Sequence, residues 1–539
     1  MSLVGKLDFH KLGLSPNLTK YQFEREVVAV GGIIILPGCQ SLELVNAWKR
    51  RFGKAFAMDN RIRECKDKRV VSRRNGSKFI ECMGNATAWA QVAIVLAATL
   101  AITSLQGSRS SNGPVRPYGL SARPISKPYL RMPQSATGEF PSRLSQTGAF
   151  TNVRAATPAA GLIPYDVIVP FWSDGASKSR WIALPNEKIQ FAASGEWKFP
   201  GGTVFVKEFD LSIDDTNFAV KRRLETRLLV RDHNGGVYGV TYKWRPDNSD
   251  ADLLLGSIRE NIAIKTASGT RTQTWYYPSR EDCLTCHTAN AGGVLGVKTR
   301  QMNREIAYPS GITDNQLRSW NHAGLFDCDL RDSELAALPR LANAADKTRS
   351  LEDRSRSFLD VNCSYCHRPG GTVAAFDARY DTPLVSQGLI GEPVLIGEGI
   401  DRPRIIAPND IWRSILFMRL NTTDTFKMPP LARMTVDHAD VELLRDWIHS
   451  LPGLPVLDPP VISGVERSLK RTVRIALSDS EPGAEIHYTV DGSDPTRSDP
   501  IYEAPLELAE PKIVRARAFK QGFTRSITAQ QIYVPKDEQ

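Results

Sequence analysis

The sequence predicts a multidomain α+β protein in which an antiparallel β-sandwich precedes α-helical segments, and a second, small strand-rich domain follows them. Three observations predict it. At 539 residues the chain exceeds what one core organises, which points to about three or four domains. Residues 165–278 alternate short β-branched and aromatic runs with Gly, Asn, Asp and Pro, and the same texture returns after residue 461. Between them the pentapeptide Cys-x-x-Cys-His occurs twice, among stretches with helical spacing.

The N-terminal part differs from the rest in charge. Residues 1–82 hold 16 Lys and Arg against 8 Asp and Glu, so most of the net +10 resides there. Little remains for the folded body, and a nucleic-acid partner is not expected. This stretch reads as a basic N-terminal extension. No charged residue occurs from 84 to 108, and basic residues Arg73, Arg74 and Lys78 come before the run. Residues 83–107 are therefore expected to be a signal peptide or a membrane anchor, with a buried core helix as the alternative. Met83 stands directly before the run, and a start there would leave the extension out of the mature protein.

Residues 108–160, rich in Ser, Pro, Gly and Arg, read as a linker. Residues 161–278 form the expected sandwich, with strands near 167–172, 180–184, 203–211, 223–230, 237–244 and 272–277. Asp174, His233 and Asp247 are scattered through its turns and make no catalytic set. Residues 279–345 and 346–455 each enclose one pentapeptide. Helices are expected over 314–323, with Thr313 as the cap, over 350–362 and over 441–451. Four prolines in 452–460 mark a boundary before the 461–539 domain. Its Asp491 and Asp494 fit a hairpin turn better than a calcium site.

The pentapeptides are Cys283-Leu-Thr-Cys286-His287 and Cys363-Ser-Tyr-Cys366-His367. Each is an attachment signature for c-type haem. Two thiols so spaced reach the two vinyl groups of one porphyrin, and the next residue, His, ligates its iron. A single four-thiolate zinc site is the rival. The 76 residues between Cys286 and Cys363 far exceed the roughly 15–20 of a zinc ribbon, and zinc gives no reason for His after both pairs. Two covalently bound haem c groups are thus expected, which require export from the cytoplasm. Beyond residue 82 they use every cysteine but Cys328, leaving no disulfide framework.

For the second haem, Met428 in Lys427-Met-Pro-Pro is the expected second axial ligand, ahead of Met418 and Met434. For the first, Met302 is the leading candidate, His322 the alternative, and a vacant sixth position the third possibility.

Residues from about 140 to 455 resemble a family of bacterial di-haem c-type cytochrome proteins, mostly uncharacterised. The matching stretches are Val169-Pro-Phe-Trp-Ser-Asp-Gly, Gly239-Val-Thr-Tyr-Lys-Trp-Arg, Tyr277-Pro-Ser-Arg-Glu-Asp-Cys-Leu-Thr-Cys-His, Gln301-Met-Asn-Arg and Lys427-Met-Pro-Pro. The second haem segment alone is similar to class I cytochrome c, which implies an all-helical fold there. The resemblance implies electron transfer and haem attachment at Cys283, Cys286, His287, Cys363, Cys366, His367 and Met428. The tail is similar to the small Ig-like domain at the C-terminus of chitobiases and β-hexosaminidases, through Ile486-His-Tyr-Thr-Val-Asp-Gly-Ser-Asp-Pro-Thr and Val514-Arg-Ala-Arg-Ala-Phe-Lys-Gln-Gly-Phe.

Three functions compete at this point. The first is an electron carrier in the bacterial periplasm or at the cell surface, working between a dehydrogenase and a terminal acceptor. The second is a di-haem peroxidase or oxidase, with catalysis at the first haem. The third is a redox accessory protein whose tail contacts carbohydrate or a surface.

Overall fold

The computed structural model describes residues 116–372, 376–464 and 473–533, and the backbone of two short strands nearer the N-terminus. Most of the basic extension, all of 83–107, and Cys39, Cys65 and Cys82 lie outside the described residues. The chain divides into two compact units, Met1–Arg116 and Pro117–Gln539. In the first, β1 (Val28–Val30) and β2 (Ile33–Ile35) pair antiparallel.

In the second unit, β3 (Phe150–Asn152) and β4 (Thr157–Pro158) form a short pair. A six-stranded sheet follows, from β5 (Ile163–Pro164), β6 (Ser177–Ala183), β7 (Val204–Ser212) and β8 (Lys221–Arg231) to β9 (Val237–Trp244) and β10 (Ala251–Leu253). Its strands lie side by side in chain order, each antiparallel to the next. Side chains alternate between the faces of a strand, so Val204 and Val206 enter one core with Leu228, Val240 and Tyr242. Phe205, Lys207 and Phe209 point to the opposite face, which lines a cavity. Residues 117–160, read from composition as a linker, run along the sheet and bury Leu144, Ala149 and Phe150 in its first core.

Instead of a full second sheet there is one hairpin, β11 (Ile258–Thr266) with β12 (Gly269–Tyr277). It packs Ile262, Ile264, Trp275 and Tyr277 on Phe209, Leu211 and Leu224. After α1 (Arg280–Cys286) and α2 (Thr299–Met302) come the paired strands β13 (Glu305–Ala307) and β14 (Thr313–Asn315). The remaining helices are α3 (Gln316–His322), α4 (Asp332–Ala337), α5 (Leu351–Asn362), α6 (Ile415–Leu420) and α7 (His438–Ser450). Asn315, not Thr313, caps α3, accepting from Leu317 N and Arg318 N.

These helices overturn the expected fold class. Among the described residues strand predominates, and only α5 and α7 run beyond seven residues. The multi-helical cytochrome c-like segments do not exist: the chain is not α+β with helical haem domains. The physical reason lies in residues 367–436, where Pro369, Pro383, Pro393, Pro403, Pro408, Pro429 and Pro430 alternate with Gly370, Gly371, Gly388, Gly391, Gly397 and Gly399. Proline removes a helical donor and restrains the residue before it, so the segment is mostly turns around the short α6. Gly292, Gly293 and Gly296, all at positive φ, do the same after the first pentapeptide.

The tail forms two three-stranded sheets. One holds β15 (Val461–Gly464), β16 (Val473–Ser478) and β18 (Leu506–Leu508); the other holds β17 (Glu485–Thr489), β19 (Lys512–Phe519) and β20 (Ala529–Tyr533). Ile475, Val514 and Ala516 are fully buried between them. Asp491 closes an Asx turn, accepting from Ser493 N and Oγ, and Asp494 pairs with Arg515 at 3.0 Å.

Candidate functional site

The first pentapeptide is placed by a helix that starts just before it. Ser279 Oγ accepts from Asp282 N at 3.2 Å, while the Asp282 carboxylate accepts from Ser279 N at 2.8 Å. This capping box begins α1, which packs on β9. There Gly239 permits close approach: a Cβ on it would stand 2.7 Å from Cys283 Sγ. His287 ends the helix, and its Nδ1 lies 2.8 Å from Gly293 O. A carbonyl only accepts, so Nδ1 carries the proton and Nε2 presents its lone pair.

The second pentapeptide follows α5, which Ser350 caps through Asp353 N. His367 N donates to Cys363 O at 2.9 Å, and the imidazole stacks on Phe376 with centroids 4.2 Å apart. Burial pushes both His287 and His367 down to about 4, holding the rings neutral as metal ligation requires. Burial likewise raises Cys283, and lifts Cys363 to about 12. Cys286 and Cys366 share a hydrogen bond between the two motifs, which raises the first and lowers the second. No disulfide joins any of the five described cysteines.

Buried charges join the two segments. Lys298, 5% exposed, bonds Asp360 at 2.8 Å. Burial alone would lower its pKa, but Asp360 and Glu196 outweigh it and raise it. Arg368, next to His367, reaches Glu196 at 3.2 Å and Asn290 O at 3.2 Å.

The Met428 loop is held from two sides. Met428 N donates to Arg419 O at 2.9 Å, and the buried Arg433 guanidinium donates to Leu420 O at 2.7 Å and to Thr422 O. Asp174, 4% exposed, accepts from Met434 N at 2.9 Å, Thr435 N at 2.9 Å and Thr435 Oγ1 at 3.0 Å. Trp172 N adds a bond to Asn362 Oδ1 at 3.0 Å. The Phe-Trp-Ser-Asp stretch thus ties the sheet to both α5 and the Met428 loop.

One cavity of about 750 Å³ unites these parts, a volume within the roughly 300–1,000 Å³ of cofactor and small-molecule sites. Cys283, Cys286, His287, Cys363, Cys366, His367 and Met428 all line it. Met302 does not: it is fully buried in the core with Leu317 and Trp320. His322 is also elsewhere, stacked on Tyr118 with centroids 3.6 Å apart. Met418 and Met434 are likewise absent from the lining.

The residues fit a covalently held haem better than a bare ion. Among the described residues no three His, Cys, Asp or Glu side chains converge as a metal site. The two pentapeptides instead border an apolar chamber walled by Val167, Phe205, Leu229, Val294 and Tyr365. His287 has the second hydrogen bond that orients a metal-binding imidazole. His367 Nδ1 is buried without a partner among the described residues.

Sequence reasoning missed Asp174 as more than a turn residue, and missed the four cations that the sheet contributes to the cavity wall: Lys178, Arg180, Lys207 and Arg227. A signal was present. In Thr203-Val-Phe-Val-Lys-Glu-Phe, Lys207 occupies the same face as Phe205 and Phe209, where an apolar residue would ordinarily stand.

Residues 475–533 match the family described as Fn3 associated, so the C-terminal region is Ig/Fn3-like. That match leaves both pentapeptides outside it. No curated protein matches the chain. Among the described residues no helix is long and apolar enough to cross a membrane, and residues 83–107 are not among them.

Proposed function

We propose that this chain is a di-haem c-type cytochrome, of the largely uncharacterised bacterial kind its motifs resemble, passing electrons between partner proteins in the periplasm or at the cell surface. Both pentapeptides and Met428 line one cavity, and this carries the reading. Haem supplies reversible one-electron chemistry when bound. The chain does the remainder. Cys283 with Cys286, and Cys363 with Cys366, hold the two groups covalently. His287 and His367 offer neutral imidazoles, and Met428 offers a soft thioether to the second site, which favours reduced iron. The apolar wall excludes water and so disfavours the additional charge of ferric iron. Export through residues 83–107 is the corollary, and the tail, similar to the chitobiase C-terminal domain, serves as an accessory module.

The positions of Met302 and His322 favour a second reading. Neither side chain lines the cavity that His287 faces, so neither expected sixth ligand reaches the first site. That is the arrangement of a di-haem peroxidase or oxidase, with catalysis at the Cys283 side. Spectra of the matured protein separate the two. Two low-spin sites indifferent to cyanide support the carrier. One high-spin site that binds cyanide and turns over peroxide supports the enzyme and overturns the carrier.

A further inference from the structure

We propose that Lys178, Arg180, Lys207 and Arg227 form a receptor for carboxylate groups on the sheet wall of the cavity. The propionates of a bound haem are the first source, which presupposes the di-haem reading above, and a free small carboxylate is the second.

Strand register places the cations. Arg180 pairs with Lys207 across β6 and β7, and Lys207 pairs with Arg227 across β7 and β8. Neighbouring strands lie about 4.8 Å apart, so three charged stems leave one row of the sheet within about 10 Å. Lys178 leaves the same face two residues along β6. Confined like charges repel, and burial adds a desolvation cost, unless anions compensate.

Compensation from the chain is incomplete. Asp166 meets Arg180 at 2.6 Å and Glu225 meets Arg227 at 2.5 Å. Lys178 Nζ donates to a carbonyl, Phe171 O at 2.6 Å, and has Asp174 as a nearby anion without an ion pair among the described residues. The Lys207 ammonium, in the middle of the row, has no hydrogen-bond or ion-pair partner among the described residues; the Phe209 ring lies 6.0 Å from it. Burial, then the neighbouring Arg180 and Arg227, push its ammonium down to about 7. An anion between Arg180 and Arg227 is what the row lacks.

The row also lies at a suitable distance from the thiols. On the same face the adjacent row is apolar, with Phe205, Leu229 and Gly239 in register, and Cys283 rests on Gly239. Two residues of strand advance about 7 Å. The three-cation row is thus about 7 Å, and Lys178 about 14 Å, along the sheet from the row that carries Gly239. Haem bears its carboxylates on the edge opposite the carbons that form thioethers. An apolar row beside the thiol followed by a cationic one matches that polarity.

The test uses the full chain matured with c-type haem, in wild-type, Lys207→Met and Lys207→Arg forms. Mass spectrometry counts covalent haem and a redox titration gives the potentials. A single charge acting over about 10 Å at an effective dielectric of about 20 is worth about tenfold in an equilibrium. Lys207→Met is therefore expected to keep its haem and to lower one potential by about 59 mV, the one-electron equivalent of tenfold. Lys207→Arg should restore it. Succinate separates the two sources: no response in the wild type assigns the row to the haem's own carboxylates. A saturable shift in the wild type that is lost in Lys207→Met assigns it to a free carboxylate. Equal potentials and equal succinate responses in wild type and Lys207→Met overturn the receptor. No covalent haem in the wild type overturns the di-haem reading instead. The receptor then stands on saturable succinate binding by calorimetry that Lys207→Met abolishes, and falls without it.

Discussion

A methyl group on Gly239 would stand 2.7 Å from Cys283 Sγ and 2.9 Å from its Cβ, closer than carbon and sulfur tolerate. Gly239→Ala should push α1 off β9 and reduce covalent haem from two groups to one per chain, with the Cys363 side unaffected; intact-protein mass spectrometry reads this, and retention of both groups would show that the contact is dispensable. Elsewhere on the sheet Glu208 is 4% exposed, and burial pushes its carboxyl up to about 7, with Arg223 opposing and Asp210 adding. A folded pKa above the ordinary glutamate value means the folded state binds the proton more tightly. The stability this residue contributes is complete below pH about 4.5 and is lost as pH rises through about 7, at most roughly 3 kcal/mol. Glu208→Gln should flatten that decline in denaturant midpoints measured from pH 4.5 to 8, and an unchanged slope would assign the decline to other groups. At this scale the pentapeptides stand out because the proposed thioether attachment demands a fixed spacing. Lys207 was visible as an irregular residue, but its meaning depends on what faces the strand, which no local pattern states.

Asp174 shows what an element gains from one distant carboxylate. It sits at φ 48° in the turn before β6 and holds Met434 and Thr435, some 260 positions away, through hydrogen bonds of 2.9–3.0 Å. Asn tolerates the left-handed conformation, so Asp174→Asn keeps the turn and removes the charge. Hydrogen bonds to a charged acceptor are worth about 1.5–3 kcal/mol. We expect a loss of about 2 kcal/mol in chemical denaturation, together with a weaker methionine–iron absorption band as the Met428 loop loosens. A band and midpoint equal to wild type would remove Asp174 from the account. Elements with clean periodicity were readable: the helix expected over 350–362 is Leu351–Asn362, and that over 441–451 is His438–Ser450. The hairpin strand Ile258–Thr266 was missed because Arg259, Glu260 and Asn261 obscure the alternation that buries Ile262 and Ile264. The helical haem segments were inferred from the two pentapeptides and their flanking helices, while the prolines and glycines between them leave room for no helix longer than the six residues of α6.

At the scale of the whole second unit, segments far apart in sequence converge because buried polar groups need partners that only other segments supply. Lys298 with Asp360 joins the two pentapeptide segments, and Arg300 with Asp381 joins them again at 2.5 Å. The tail is fastened to the Met428 segment through Arg413, which donates to Arg525 O and Ser526 O, and through Arg525, which meets Asp401 at 2.7 Å. Such pairings have no sequence signature, which is why the repeated motif was legible while the shared cavity and its sheet wall were not. That the chain carries two haems by covalent bonds is the claim on which every role assigned to the cavity depends. Intact mass of the full chain, expressed with a c-type maturation system, tests it directly. The account predicts a mass increased by two haem groups, falling to one when Cys283 and Cys286 or Cys363 and Cys366 are replaced by Ala. A polypeptide that matures without any covalent haem would contradict it.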